Sequence, residues 1–215
     1  VADLADLAAA ASTAAALLAT GNRLLSRQFE TCFMTMTPPT HPLARLALAV
    51  LFISLFAQLT LTLPYPSGGI PVTGQTFAVL LTGYLLGKKY GALAILIYIL
   101  LGVVGLPVFA DGESGIEVLT GGSGGYLIGF IAGAALTGFF AEKGWDRSFP
   151  KSLLAMTLGT LLILLFGIGR LAQMYTLPQA LEWGLYPFIP GAIVKIILGA
   201  AVMPIYYRIT AGRDL

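Results

Sequence analysis

Long apolar stretches, each cut by a short polar or glycine-rich break, set the pattern of this chain. Residues 46–87 contain no Asp, Glu, Lys or Arg, and neither do 90–110, 118–141 or 152–169. A helix needs about 20 apolar residues to cross the hydrocarbon core of a bilayer. The first run is too long for one crossing and is broken by Pro64, Pro66, Gly68, Gly69 and Pro71, so it divides in two. The pattern therefore predicts six spans, roughly 43–63, 72–87, 90–109, 124–141, 152–173 and 187–207. The second is short for a straight crossing, which suggests that it begins inside the protein. Lys88-Lys89 and then Tyr90-Gly91 predict a tight turn into the third. The expected fold is an all-α integral membrane protein, a six-transmembrane-helix bundle.

Composition agrees. The 215 residues are 57% hydrophobic and only 10% charged, with a mean hydropathy of +0.88; soluble domains average about 25% charged residues. The distribution of bases gives the orientation. Arg23, Arg27 and Arg45 precede or open the first span, Lys88 and Lys89 follow the second, Lys143, Arg147 and Lys151 follow the fourth, and Arg208 and Arg213 follow the sixth. Ten of the twelve bases thus fall on one face, whereas Asp111, Glu113, Glu117 and Glu182 fall on the other. By the positive-inside rule the N- and C-termini are both cytoplasmic. Three segments follow: a cytosolic extension over 1–42, partly helical or disordered; a membrane domain over 43–208; and a short tail over 209–215. Asp3 and Asp6 stand where a secretory signal would carry bases.

One cysteine, Cys32, and one histidine, His41, give no internal disulfide and no metal cluster. No GxxxxGK[ST] sequence is present, so a P-loop for ATP is not expected in this chain. Gly122-Ser123-Gly124-Gly125 has no strand–turn–helix unit around it and is not a dinucleotide fingerprint. Neither a catalytic constellation nor a cofactor is expected.

Three features point to a binding site on the outer side. Between Gly102 and Phe130 the chain collects three acids and returns to apolar sequence through Gly121–Tyr126, a density of glycine that permits close backbone approach. Two bases break the pattern: Arg170 near the outer end of the fifth span, and Lys195 inside the sixth among Ile193, Val194, Ile196 and Ile197. A cation at membrane depth costs about 2.5–3.5 kcal/mol at mid-helix and usually marks a pathway or site. Aromatic residues also gather on the outer side, among them Tyr65, Phe109, Tyr126, Tyr175 and Phe188, as an interfacial belt or as pocket walls. Such a site suits a small, largely apolar ligand with an anionic group. Gly121, Gly125, Gly129 and Gly133 fall four apart, and Ala134 and Gly138 repeat the spacing, a smooth stripe for a neighbouring helix.

With these residues in place, the chain resembles the BioY family, the biotin-specific S components of energy-coupling-factor (ECF) vitamin transporters. The likeness runs from about Leu43 to Arg208. It is carried by Pro71–Phe77, Leu85-Leu86-Gly87, Tyr98 through Gly105–Phe109, Gly124–Phe130, and Pro187–Gly191 followed by Lys195. The resemblance implies capture of extracellular biotin, docking to an ECF transmembrane coupling subunit driven by two ATPase subunits, and a place in the cell (inner) membrane. It implies no enzyme activity in this chain, and the net charge of +2 gives no reason to expect a nucleic acid partner. Carried over by residue, the substrate-binding set is Gln75, Tyr98, Phe109, Gly122, Gly124, Tyr126, Arg170, Tyr175 and Lys195. In it Gln75 and Lys195 make polar contacts, Tyr98, Phe109 and Tyr175 form walls, and the Gly121–Tyr126 loop closes over the ligand. Whether Lys195 or Arg170 meets the carboxylate is left open. Many members carry an acid directly after the Pro-Gly of the sixth span, where this chain has Ala192. S components also often dock through alanines four apart in the first helix, a spacing that Ala44, Ala47, Ala49 and Ala57 do not give. Alternative readings are an S component for another vitamin, such as riboflavin or thiamine, and a self-sufficient secondary carrier of a small carboxylate.

Overall fold

The computed structural model of the protein describes residues 41–61 and 72–211. Most of the expected N-terminal extension and the end of the C-terminal tail lie outside the described residues, as does the proline-rich break at 62–71. The described chain is helical almost throughout: α1 (Pro42–Ala57), α2 (Gln75–Val103), α3 (Ile116–Thr120), α4 (Gly124–Glu142), α5 (Phe149–Met174), α6 (Leu177–Gly184) and α7 (Phe188–Ala211). One minimal antiparallel ladder pairs β1 (Thr60–Leu61) with β2 (Val72–Thr73), with Thr60 opposite Thr73. By length and composition α2, α4, α5 and α7 can each cross a membrane, while α1 is a shorter apolar helix of 16 residues.

The 29-residue α2 is not straight. Gly87 takes φ 77° and ψ 175°, a conformation that L side chains rarely adopt, and the chain reverses there. The reversal is measurable at the far ends of the two arms. Gln75 and Tyr98 are 23 residues apart, about 34 Å along a straight helix, yet their side chains meet at 2.5 Å. Close to the turn the arms touch through backbone alone: a Cβ on Gly91 would lie 2.8 Å from the Gly83 Cα. The Lys88 amide, freed by the turn, donates to Glu142 Oε1 at 2.8 Å.

Helix α4 packs between α2 and α5, and α5 in turn carries α6 and α7. The small-residue stripe of α4 serves two neighbours rather than one. Gly125, Gly129 and Gly133 lie against α5 at Gly167 and Ile163, whereas Gly138 lies against the Gly87 turn. Between them Thr137 is fully buried and donates to Leu80 O at 3.1 Å, tying α4 to α2. Around this axis Val79, Leu80, Ile95, Phe130 and Ile163 form the core. One end of the bundle is basic: Lys143 sits 4.4 Å over the Phe139 ring, and the Arg147 guanidinium 4.8 Å over that of Tyr207.

Helix α6 departs from the expected pattern. Its eight residues are too few for a span, and its start is fixed by a capping box in which Thr176 and Gln179 pair reciprocally, with Pro178 in the first turn. The signature T-x-x-Q was present in the sequence, overshadowed by the longer apolar runs.

Candidate ligand-binding site

The site is built where α2 begins, within the unit Leu43–Leu215. β2 delivers Thr73, whose hydroxyl accepts from the Gln75 backbone N–H at 3.3 Å, just before the first turn of the helix. Gln75 is buried; its Nε2 donates to the Tyr98 hydroxyl at 2.5 Å, and Tyr98 donates to Val108 O at 2.9 Å. One chain of hydrogen bonds therefore runs from the first arm of α2, through the second, to the strap 104–123. The strap turns on backbone at Gly105, Gly112 and Gly115, with φ of 112°, 74° and 98°. It is pinned by Phe109, whose ring meets Tyr98 edge-on at 5.6 Å and whose carbonyl accepts from Gln58 Nε2 at 2.9 Å.

Lys195 enters from α7. Its ammonium donates to Thr73 O at 2.5 Å and to Thr76 Oγ1 at 3.0 Å, bridging positions 122 and 119 residues away. Tyr126, at the start of α4, stacks on Phe188 at 5.5 Å and donates to Gly184 O at 2.7 Å, which draws α6 against the bundle.

These elements enclose a cavity of about 50 Å³. Gln75, Thr73 and Thr76 form its polar side; Phe109, Tyr126, Phe130 and Phe188 form its aromatic walls; Ser123 and Glu113 stand on the strap side. Among the described residues that line it, Glu113 is the one acid. Small-molecule pockets usually measure about 300–1,000 Å³, so a ligand of that size enters only if the site widens.

Of the residues expected from sequence, Gln75, Phe109 and Tyr126 line this cavity. Tyr98 supports it through Gln75, and Lys195 stands behind Thr73 and Thr76. Four are elsewhere. Arg170 and Gly124 line a separate cleft on the other side of the α4 start, and the Tyr175 ring packs against Trp183 at 5.1 Å. Gly122 remains in the turn before α4, outside the lining. Half of the glycine-rich segment expected as a loop is the first turn of α4, because the helix starts at Gly124. Thr73, Thr76 and Ser123 were not foreseen as site residues; a threonine or serine in an apolar run carries no signal until its partner is known.

The Gln75–Tyr98–Val108 chain gives a direct expectation. Tyr98→Phe leaves a buried amide donor and a carbonyl without this hydroxyl, a loss worth about 1–3 kcal/mol. A lowered thermal midpoint of the purified protein in detergent is the expected readout; an unchanged midpoint would mean that water replaces the hydroxyl.

Comparison with known proteins decides the family. A model of the BioY family matches residues 25–212. The chain belongs to the BioY family. A biotin transporter BioY of Thermotoga maritima is 41% identical over 138 residues, covering 64% of this chain and 80% of the relative. The biotin transporter BioY of Rhizobium etli is 36% identical over 172 residues, covering 74% and 92%. A crystal structure at 2.1 Å of the S-component for biotin from an ECF-type ABC transporter has the same fold, with a TM-score of 0.69 and 27% identity over 78% of this chain and 90% of that one. This member of the BioY family is accordingly a multi-pass membrane protein with the S-component fold, and its relatives are transporters rather than enzymes.

Proposed function

We propose that the chain is the substrate-capturing S component of an ECF transporter, that biotin is its ligand, and that the cavity at the start of α2 is where biotin binds. The observation that carries this reading is the polar set itself: a fixed amide at Gln75 on the flank of a largely aromatic cavity, with the Lys195 cation directly behind Thr73 and Thr76. Biotin presents a ureido group, an apolar bicycle and a carboxylate, and each has a counterpart there. The strap moves to admit the ligand and returns over it.

The geometry favours Lys195 over Arg170 as the carboxylate partner. Lys195 reaches two residues that line the cavity, whereas Arg170 faces a different cleft. The first turn of α2 adds its N-terminal dipole to the same spot, a combination suited to an anion. Glu113 on the strap side then supplies an acceptor for the ureido N–H groups, a role left open by Ala192.

A six-span topology follows if both arms of α2 and the shorter α1 are counted with α4, α5 and α7. The first arm, 75–86, is about 18 Å long at 1.5 Å per residue, so it begins below the membrane surface, at the cavity. The basic end of the bundle faces the cytoplasm on the positive-inside rule, which sets the cavity on the outer side of the cell membrane. Biotin then leaves by reorientation of the chain on a transmembrane coupling subunit driven by ATPase subunits.

Labelled biotin offered to the purified chain in detergent, without ATP, tests the reading. Nanomolar binding displaced by biotin but not by riboflavin or thiamine is expected. Displacement by another vitamin would reassign the substrate, and uptake by cells lacking the coupling and ATPase subunits would make the chain a secondary carrier.

A further inference from the structure

The second cleft has chemistry of its own. It measures about 560 Å³ and lies between the α3–α4 junction and the last third of α5. Arg170 stands at its polar end, four residues before α5 finishes at Met174, about 6 Å along the axis. The guanidinium is held by two neutral acceptors, Gln173 Oε1 at 3.3 Å and the Thr120 carbonyl. These fix the plane of the fork without neutralising its charge. Arginine carries five N–H donors in fixed geometry, and two donated bonds leave others for a ligand in the cleft. The floor is bare, since a Cβ built on Gly169 meets nothing within 4 Å. The walls are Ile128, Leu165 and Phe166, all exposed on membrane-crossing helices. Exposed apolar side chains on such helices face acyl chains, which are as apolar as leucine.

We propose that this cleft is a phospholipid site, with an anionic headgroup phosphate on Arg170 and an acyl chain along Ile128 and Leu165. Both halves of the cleft select for a lipid. Arginine pairs with phosphate through two parallel N–H···O bonds, and the apolar walls, open to the bilayer, have no use for a soluble anion. The position of the cation near the end of α5 matches the depth of a headgroup, and the walls run from it toward the membrane centre. Arg170 is thereby a lipid-positioning residue, and the wall it shares with the ligand cavity, the start of α4, is fixed against a lipid. The inference stands independently of the ligand assigned to that cavity.

Native mass spectrometry of the full chain, extracted in detergent and supplied with dioleoyl phosphatidylglycerol, provides the test. The unaltered protein retains one lipid molecule, and Arg170→Gln lowers its occupancy at least tenfold. Gly169→Phe fills the cleft from the open floor while leaving the guanidinium in place; it lowers lipid occupancy similarly and leaves biotin binding as it was. Equal retention by the unaltered protein and either variant overturns the proposal. Displacement of the lipid by millimolar inorganic phosphate also overturns it, making this a free-anion site.

Discussion

Lys195→Ala is expected to weaken biotin binding at least tenfold, about 1.4 kcal/mol. The side chain is the one cation within reach of the cavity's polar flank among the described residues, and a carboxylate arriving there exchanges with Thr73 O and Thr76 Oγ1 for its ammonium. The same lysine also ties α7 to the start of α2, so lost affinity alone would not separate recognition from architecture. Biotin methyl ester separates them. If the ammonium meets the carboxylate, the ester binds the unaltered protein weakly and the substitution costs it little, a coupling that a double-mutant cycle reads directly. Equal losses for acid and ester would reduce Lys195 to a clamp, and unchanged binding of both would remove it from the site.

A large effect on stability is expected at Gly138. A Cβ there would lie 2.5 Å from Gly87 C, 2.5 Å from Lys88 N and 2.8 Å from Gly83 O. All three are backbone atoms at a reversal, so no side chain can rotate away. Gly138→Ala should therefore cost at least the upper part of the about 1–3 kcal/mol usual for overpacking. Gly169→Ala is the contrasting case: the space is open, the position is helical, and replacing glycine gains about 0.5–1 kcal/mol. Thermal denaturation in detergent should move the two midpoints in opposite directions. A Gly138→Ala protein as stable as the original would mean that the α2 turn lies further from α4 than described.

What the sequence reveals depends on how local each signal is. The apolar runs that became α4, α5 and α7 are legible because a bilayer demands uninterrupted length, and Lys88-Lys89 marks a turn between the second and third runs, although the reversal falls at Gly87 and Tyr90-Gly91 is already helical. Lys195 stands out because charge inside an isoleucine- and valine-rich segment is expensive. Its partners do not, because Thr73 and Thr76 lie more than a hundred positions away and are chemically ordinary. Arg170 and Lys195 look alike in one dimension; only packing separates a lysine that reaches α2 from an arginine that lines a different cleft beside Gly125. The family resemblance implies a pocket wall at Tyr175, whereas its ring pairs with Trp183 on α6, a helix whose amphipathic eight residues are hidden among longer apolar segments.

The α2 hairpin is held by different means at its two extremities. At Gly87 the arms and α4 meet backbone to backbone, a junction with no slack because packed interiors compress little. At the other extremity the arms are joined by the Gln75–Tyr98 hydrogen bond beside a cavity. Polar bonds can be exchanged for equivalent ones with a ligand, whereas steric contact cannot. The hairpin is thus built like a pair of tongs: steric contact between glycines fixes its pivot, and exchangeable polar bonds hold its tips.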